Sequence, residues 1–410
     1  MIQEVRPVSK NIKLPTVLDI FCGAGGMTLG FQKAGCEILG GIDKNPHAIR
    51  THHKNFPDCK VKCDAGPIES ITDLSQLGFA PGEIDILIGG PPCQVFSVVG
   101  IGKMKSLGKN IETDTRNFLY KEFIRFLEYY KPIFFVIENV NHLLNHWIFP
   151  TLISDLENGL DIKNTDYPGY DISYKILTAS DYGVPQVRKR LFIVGRRKDT
   201  NLAFDFPEPN TVIPISVGEA IGDLPELEPL CLPLKRKSTG PKQNDSPKSY
   251  KSAPLSEYQK LMRSDFEKTV MNHFCRSHND KDLHIFKIMP QGGKYKNIPD
   301  ELKRYSDQIF EDKYKRLHWE QPSWTLTAHM QKDCLAYIHP KQTRSISVRE
   351  AARLQSFPDH FVFDAPMTRM FELVGNSVPP LLAEAIAKPI VKQVQAYYEV
   401  QSEMSQPSFR

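Results

Sequence analysis

Asp19-Ile20-Phe21-Cys22-Gly23-Ala24-Gly25-Gly26 closes an apolar run that begins at Thr16 and leads into a helix-like segment over residues 27–33. A strand that ends in closely spaced glycines and passes directly into a helix can turn tightly and approach a ligand, and the helix start offers unpaired N–H groups. The spacing is not the dinucleotide fingerprint, and taken alone the stretch fits a plain tight turn as well as a nucleotide-like ligand site. Its surroundings give it weight. Outward from it, short apolar runs at residues 16–21, 36–43, 84–89, 133–138, 174–178 and 191–194 alternate with amphipathic stretches at 46–55 and 117–130. That alternation predicts an α/β fold, a doubly wound and mostly parallel sheet with helices on its faces, which binds ligands at the carboxyl ends of its strands.

From about Phe206 the texture changes: prolines multiply, basic residues gather and the alternation is lost. Order returns near Ser347, with a short helix expected over 348–355, stopped by Pro358, and an amphipathic one over 381–398 entered through Pro379 and Pro380. The expected division is therefore a catalytic domain over 1–205, a smaller domain over 206–345, and a segment over 346–410 that returns to the first. Between Cys231 and Glu320 the chain holds 19 Lys and Arg against 12 Asp and Glu, within a whole-chain charge of only +4. This region faces a polyanion or is a solvated lysine-rich surface; charge alone leaves both open. Apolar stretches fall short of the roughly 20 residues that span a membrane, and no secretory leader is read at the N-terminus, so an intracellular, cytoplasmic protein is expected. The eight cysteines have neither disulfide-framework nor zinc-site spacing, so no metal is expected.

Four further stretches carry chemistry. Gly41-Ile42-Asp43 puts a carboxylate at a strand end, where ribose hydroxyls lie in such folds, and Asp64 follows the next short apolar run. Gly89-Gly90-Pro91-Pro92-Cys93-Gln94-Val95-Phe96-Ser97 sets a cysteine behind two prolines at another strand end, leading into a loop with Lys103, Lys105 and Lys109. The commoner fate of a cysteine is burial, but this placement suits a reactive thiol. Ile137-Glu138-Asn139-Val140 ends the next strand, where a carboxyl group beside a nucleophilic cysteine suits attack on an electron-poor ring. Gln186-Val187-Arg188-Lys189-Arg190 places two arginines on one side of an extended segment.

In this order and at these separations, the segments resemble the DNA (cytosine-5) methyltransferase family of the bacterial restriction-modification type, over roughly residues 16–197 and 345–395. Arg349-Glu350-Ala351-Ala352-Arg353-Leu354-Gln355-Ser356-Phe357-Pro358 resembles the family's segment that organises its target-recognition domain, and Gly375-Asn376-Ser377-Val378-Pro379-Pro380 its last cofactor-contacting segment. The resemblance implies a Rossmann-like, S-adenosylmethionine-dependent methyltransferase. Phe21, Gly23, Gly25, Asp43, Asp64, Asn376 and Ser377 are then the cofactor residues, with Asp43 at the ribose and Asp64 near the adenine. Cys93 is implied as the nucleophile on carbon 6 of cytosine, Glu138 as the contact to ring nitrogen 3, and Arg188 as the group that steadies the base. Gln94, Ser97, Asn139 and Arg190 are the expected substrate contacts beside them. Val95 departs from the glycine common at that place.

The reacting base must leave the duplex stack, and residues 94–116 are the expected lid over it. Arg276, His278 and Gln291-Gly292-Gly293-Lys294 are candidate DNA contacts in the variable region, Arg276 and Lys294 foremost, since arginine and glutamine pair with purine edges. Double-stranded DNA is the expected partner, with a cognate restriction endonuclease possible in the same system and a monomer expected in action. Two other readings remain: a transfer RNA cytosine-5 methyltransferase, whose Cys-Phe-Thr signature is not found here, and a catalytically inactive DNA-binding regulator, against which the intact Cys93, Glu138 and Arg188 argue.

Overall fold

The computed structural model describes residues 13–61, 66–92, 119–161, 164, 166–229, 246–264, 268–303 and 313–404. Its centre is a six-stranded sheet built from β1 (Thr16–Ile20), β2 (Glu37–Ile42), β3 (Ile86–Gly89), β4 (Phe134–Val140), β5 (Tyr170–Thr178) and β7 (Lys189–Arg197), in the order β2-β1-β3-β4-β7-β5. The first four run parallel, and β7 is antiparallel to both its neighbours. Every residue of β1 and of β3 is buried, as expected of apolar runs covered on both faces. β5 and β7 extend beyond the runs read from the sequence. Among the added residues, Asp171 and Arg196 pair with each other in the ladder, while Tyr170 is buried in the apolar cluster on that face.

The strand order reverses at β1, with β2 on one side and β3 on the other. Above that point the carboxyl ends of neighbouring strands diverge and leave a crevice. Helices α1 (Gly26–Lys33), α2 (Pro46–Asn55), α3 (Tyr120–Tyr130) and α4 (Phe149–Asn158) cover the sheet. Asn45 caps α2, accepting from the His47 N–H at 3.0 Å, with Pro46 in the first turn. One hydrophobic cluster, with Phe123 and Phe126 of α3 and Leu152 of α4, lies on one face; the other contains Phe31 of α1 and Ile386 and Ile390 of the long last helix.

Beyond residue 206 the described elements are short. They include α5 (Val217–Ile221), α6 (Glu257–Met262), α7 (Asp280–Ile288) and the two-residue strands β8 (Lys248–Ser249), β9 (Thr269–Val270) and β10 (Ser323–Trp324). β10 pairs in parallel with β6 (Gln186–Val187), tying this region to the N-terminal half immediately before Arg188. Val217, Ala220 and Met262 join the larger core, while Phe286, Tyr295, Tyr314 and Ile338 build a separate small one. The chain then forms α8 (Val348–Leu354), α9 (Met367–Asn376) and α10 (Pro380–Met404), the last running six residues past its expected end with Pro389 inside it. No helix among the described residues is long and apolar enough to cross a membrane.

α8 explains its own sequence. Arg349 donates to the carbonyls of Met271, Pro358 and Phe361; Arg353 bridges Asp223 and Asp359; Glu350 takes both terminal nitrogens of Arg344 at 2.7 Å. All three side chains are buried, so each polar group of the segment fastens a different stretch of chain to this helix.

Candidate active site

The crevice at the strand ends is a cleft of about 460 Å³. Its floor is the glycine turn. Phe21 and Gly23 have φ of 60° and 56°, and Gly25, with φ 95°, caps α1. Side-chain bulk is excluded here: a Cβ on Gly26 would stand 2.2 Å from the Val378 carbonyl oxygen. Asp43, at the end of β2, accepts from the Gly23 N–H at 2.9 Å and from the Asn45 N–H at 2.8 Å. Burial raises the proton affinity of its carboxyl group, and those two amides counter the rise. Phe21, Gly23, Asp43, Asn376 and Ser377 line the cleft; Gly25 does not, and faces Phe56 and His52.

The opposite wall comes from β3, β4 and β7. Glu138 of β4 and Arg190 of β7 meet there, Oε1 to Nε, at 2.9 Å. Both are mostly shielded from solvent and both line the cleft. Asn139 is buried behind them, donating to the Pro91 carbonyl and accepting from the Val140 N–H. Pro91 and Pro92 line the rim. Cys93 is the next residue in the chain, and it lies outside the described residues together with Asp64, Gln94, Ser97 and the expected lid over 94–116.

The two arginines read as a pair from the sequence have different surroundings. Arg188, 1 % exposed, donates to the carbonyls of Leu326 at 2.7 Å, Ser377 at 3.1 Å and Gly375 at 3.2 Å. Burial and the charge of Arg190 lower its proton affinity. It holds the turn after α9 and the chain at Leu326 against the end of β6, and Arg190 is the guanidinium that reaches Glu138. Both arginines line the cleft: Arg188, at the break between β6 and β7, is turned onto the three carbonyls, and Arg190, inside the ladder opposite Val140, reaches Glu138. Gln186 extends the same junction: its amide donates to the Leu354 carbonyl and to Gln355 Oε1, and its oxygen accepts from the Leu326 N–H.

The candidate contacts of the variable region stand apart from this cleft. Arg276 donates to the carbonyls of Met330 and Gln331, His278 is buried against Ser345, and Lys294 is exposed beside the small core. Asp19 and Gln186, which line or brace the cleft, and Leu326 also matter here. The first two stood at the head of motifs already quoted, whereas nothing local marks Leu326, whose importance comes from the chain that docks on it.

The model of the family described as C-5 cytosine-specific DNA methylase matches residues 15–392, and so covers the glycine turn, both walls of the cleft and the returning helices. The chain belongs to this family. As a C-5 cytosine-specific DNA methylase, it methylates carbon 5 of cytosine in DNA. An Oceanobacillus iheyensis protein described as type II methyltransferase M.OihORF3336P is 35% identical, with 94% of this chain and 97% of that one covered. Type II methyltransferase M1.HphI of Haemophilus parahaemolyticus is 34% identical, over 92% of this chain and 87% of its own. Among solved structures, an Escherichia coli prophage protein described as a DNA modification methyltransferase superposes with a TM-score of 0.70 at 27% identity, over 93% of this methylase and 99% of that chain.

Proposed function

We propose that the cleft holds S-adenosylmethionine on the glycine-turn side and a cytosine extruded from duplex DNA on the Glu138–Arg190 side, with Cys93 as the nucleophile. The observation that carries this reading is the meeting of Glu138 and Arg190 across the same cleft whose floor is the glycine turn and whose rim ends at Pro92. Its size falls in the usual range for small-ligand sites. The lining fits the cofactor: backbone free of side-chain bulk at Gly23, a strand-end carboxylate at Asp43 for ribose hydroxyls, the apolar side chain of Ile68, and a buried carboxylate oxygen of Asp19 with no partner. Asn376 and Ser377 close the cleft from α9, with Asp64 assigned by sequence to the adenine.

Cys93, as a thiolate, adds to carbon 6 of the base. Glu138 shares a proton with ring nitrogen 3 as negative charge grows on the ring, and Arg190 orients Glu138 and the base edge beside it. When bound, S-adenosylmethionine supplies an electrophilic methyl group, which the activated carbon 5 takes up. Loss of the carbon 5 proton and departure of the Cys93 thiolate complete the exchange. Arg188 contributes by fixing the carbonyls of Gly375 and Ser377, and so acts on position rather than on the base. The biological setting we propose is restriction-modification, the methylated sequence being spared by a cognate endonuclease, with the protein acting as a monomer inside the cell.

The test is methyl transfer from labelled S-adenosylmethionine to duplex DNA and to transfer RNA, by the wild type and by Cys93→Ala. Label on DNA alone, at carbon 5 of cytosine in a fixed sequence and lost in the variant, is the expected result. Label on RNA alone supports the transfer RNA reading, and DNA binding without transfer supports the inactive regulator.

A further inference from the structure

Asp19, the last polar residue of β1, is 1 % exposed and lines the cleft. Its Oδ2 accepts from the Thr28 hydroxyl of α1 at 2.6 Å, and that hydroxyl lies 3.2 Å from Nε2 of His52 on α2. Oδ1 is buried and has no hydrogen-bond partner. An ionised carboxylate with an empty oxygen is costly in such a place, and it is relieved either by a proton or by a cationic donor. We infer that Asp19 holds a proton in the ligand-free protein and gives it up to solvent when the α-ammonium group of the cofactor docks against Oδ1, so that cofactor binding releases a proton.

The surroundings agree with this exchange. Burial, opposed by the Thr28 hydrogen bond and assisted by the negative charge of Asp43, pushes the Asp19 carboxyl up to about 7. His52 offers no compensating charge, since burial pushes its imidazole down to about 3. The other charged or titratable groups around the cleft are Cys22 beside the turn, Lys44 after β2, His53 on α2, Glu69, Glu138 on β4, Arg188 just before β7 and Arg190 within it, and Glu372 on α9. Of the cations among them, Arg190 is on Glu138, Arg188 is on three carbonyls, and the charge of Lys44 acts on Asp43. No described cation is bonded to Asp19. The step balances without a co-reactant: an O–H bond of Asp19 breaks, the proton goes to water, and an N–H···O bond to the ligand takes its place.

This inference rests on the cleft being the S-adenosylmethionine site, and the experiment separates the two. Titration calorimetry of the full chain with S-adenosylhomocysteine, in buffers of different ionisation enthalpy from pH 6 to pH 8, counts protons released. The expected count approaches one at pH 6 and nears zero at pH 8, with affinity about tenfold weaker at pH 6. Asp19→Asn is expected to abolish both the release and the pH dependence. Thr28→Val, which removes the bond that favours ionised Asp19, is expected to move the release to higher pH, and this shift decides the matter even if Asp19→Asn does not fold. Binding without proton release, or release that persists in Asp19→Asn and so belongs to Asp43, overturns the inference and leaves the cofactor site standing. Absence of any binding by the wild type overturns both.

Discussion

Arg188 and Arg190 are two residues apart and meet different fates, so their variants should separate by assay. Arg190→Ala removes the partner of Glu138 at the cleft wall and touches little else; methyl transfer should fall by about 10²-fold or more with thermal stability nearly unchanged. Arg188→Ala leaves three carbonyls without their donor and a void in the protein, a loss of about 2–4 kcal/mol that urea unfolding should report. Equal losses of stability in the two variants would contradict this division. The sequence places both arginines on one side of an extended segment, and both line the cleft; which of them reaches Glu138 was not legible, because the partners of each, three carbonyls and one carboxylate, come from distant segments.

Among the elements, α8 and the α1–α10 contact carry the most structural information. Glu350 is paired to Arg344 with both groups buried, and the guanidinium pulls its carboxyl well below the usual range. Glu350→Ala strands that guanidinium and should cost about 3–5 kcal/mol, measured as a lowered midpoint of chemical unfolding. α1 and α10 approach at Gly30, where an added Cβ would stand 2.4 Å from the Ala383 Cβ and 2.6 Å from the Glu384 backbone nitrogen. Gly30→Val should therefore force the helices apart and lower the thermal midpoint, whereas Gly35→Asn, at a site with open space but a φ of 99°, should cost only the backbone strain and so lower it less. The helical periods of both elements could be read in advance. Their partners could not, since Ala383 is 353 residues from Gly30 and nothing in either segment names the other.

Over the whole molecule, buried histidines set the response to acid. Burial pushes His273 and His278 down to about 4 and His52 and His339 down to about 3. Unfolded histidines protonate near 6.5, so the stabilisation is complete above that pH and is lost as pH falls, because the unfolded chain binds more protons. Asp19 works in the opposite sense: its raised carboxyl takes a proton first in the folded state, so it adds stability as pH falls below about 7. Asp43, whose carboxyl burial also raises, acts in the same sense as Asp19, and four histidines against these two carboxyls leave acid destabilisation dominant between about pH 6.5 and 4. Tryptophan fluorescence against pH should show unfolding in that window. Hydrogen exchange should show it reaching the region beyond residue 206 early, where three of those four histidines lie; stability that is flat down to pH 4 would contradict the sign.

The strands of the parallel half, the glycine turn at their switch point, and the placing of Asp43 and Glu138 at strand ends could all be read from the chain by itself. Each depends on local alternation of apolar and polar residues, or on a residue type at a strand end, and such signals are short-range. The insertion of β7 antiparallel between β4 and β5, the pairing of Arg190 with Glu138, the buried role of Arg188 and the empty oxygen of Asp19 were decided only in three dimensions. In each of these, a polar group finds or lacks its partner across tens to hundreds of residues, and burial sets its charge and its bonds only once distant segments have packed around it.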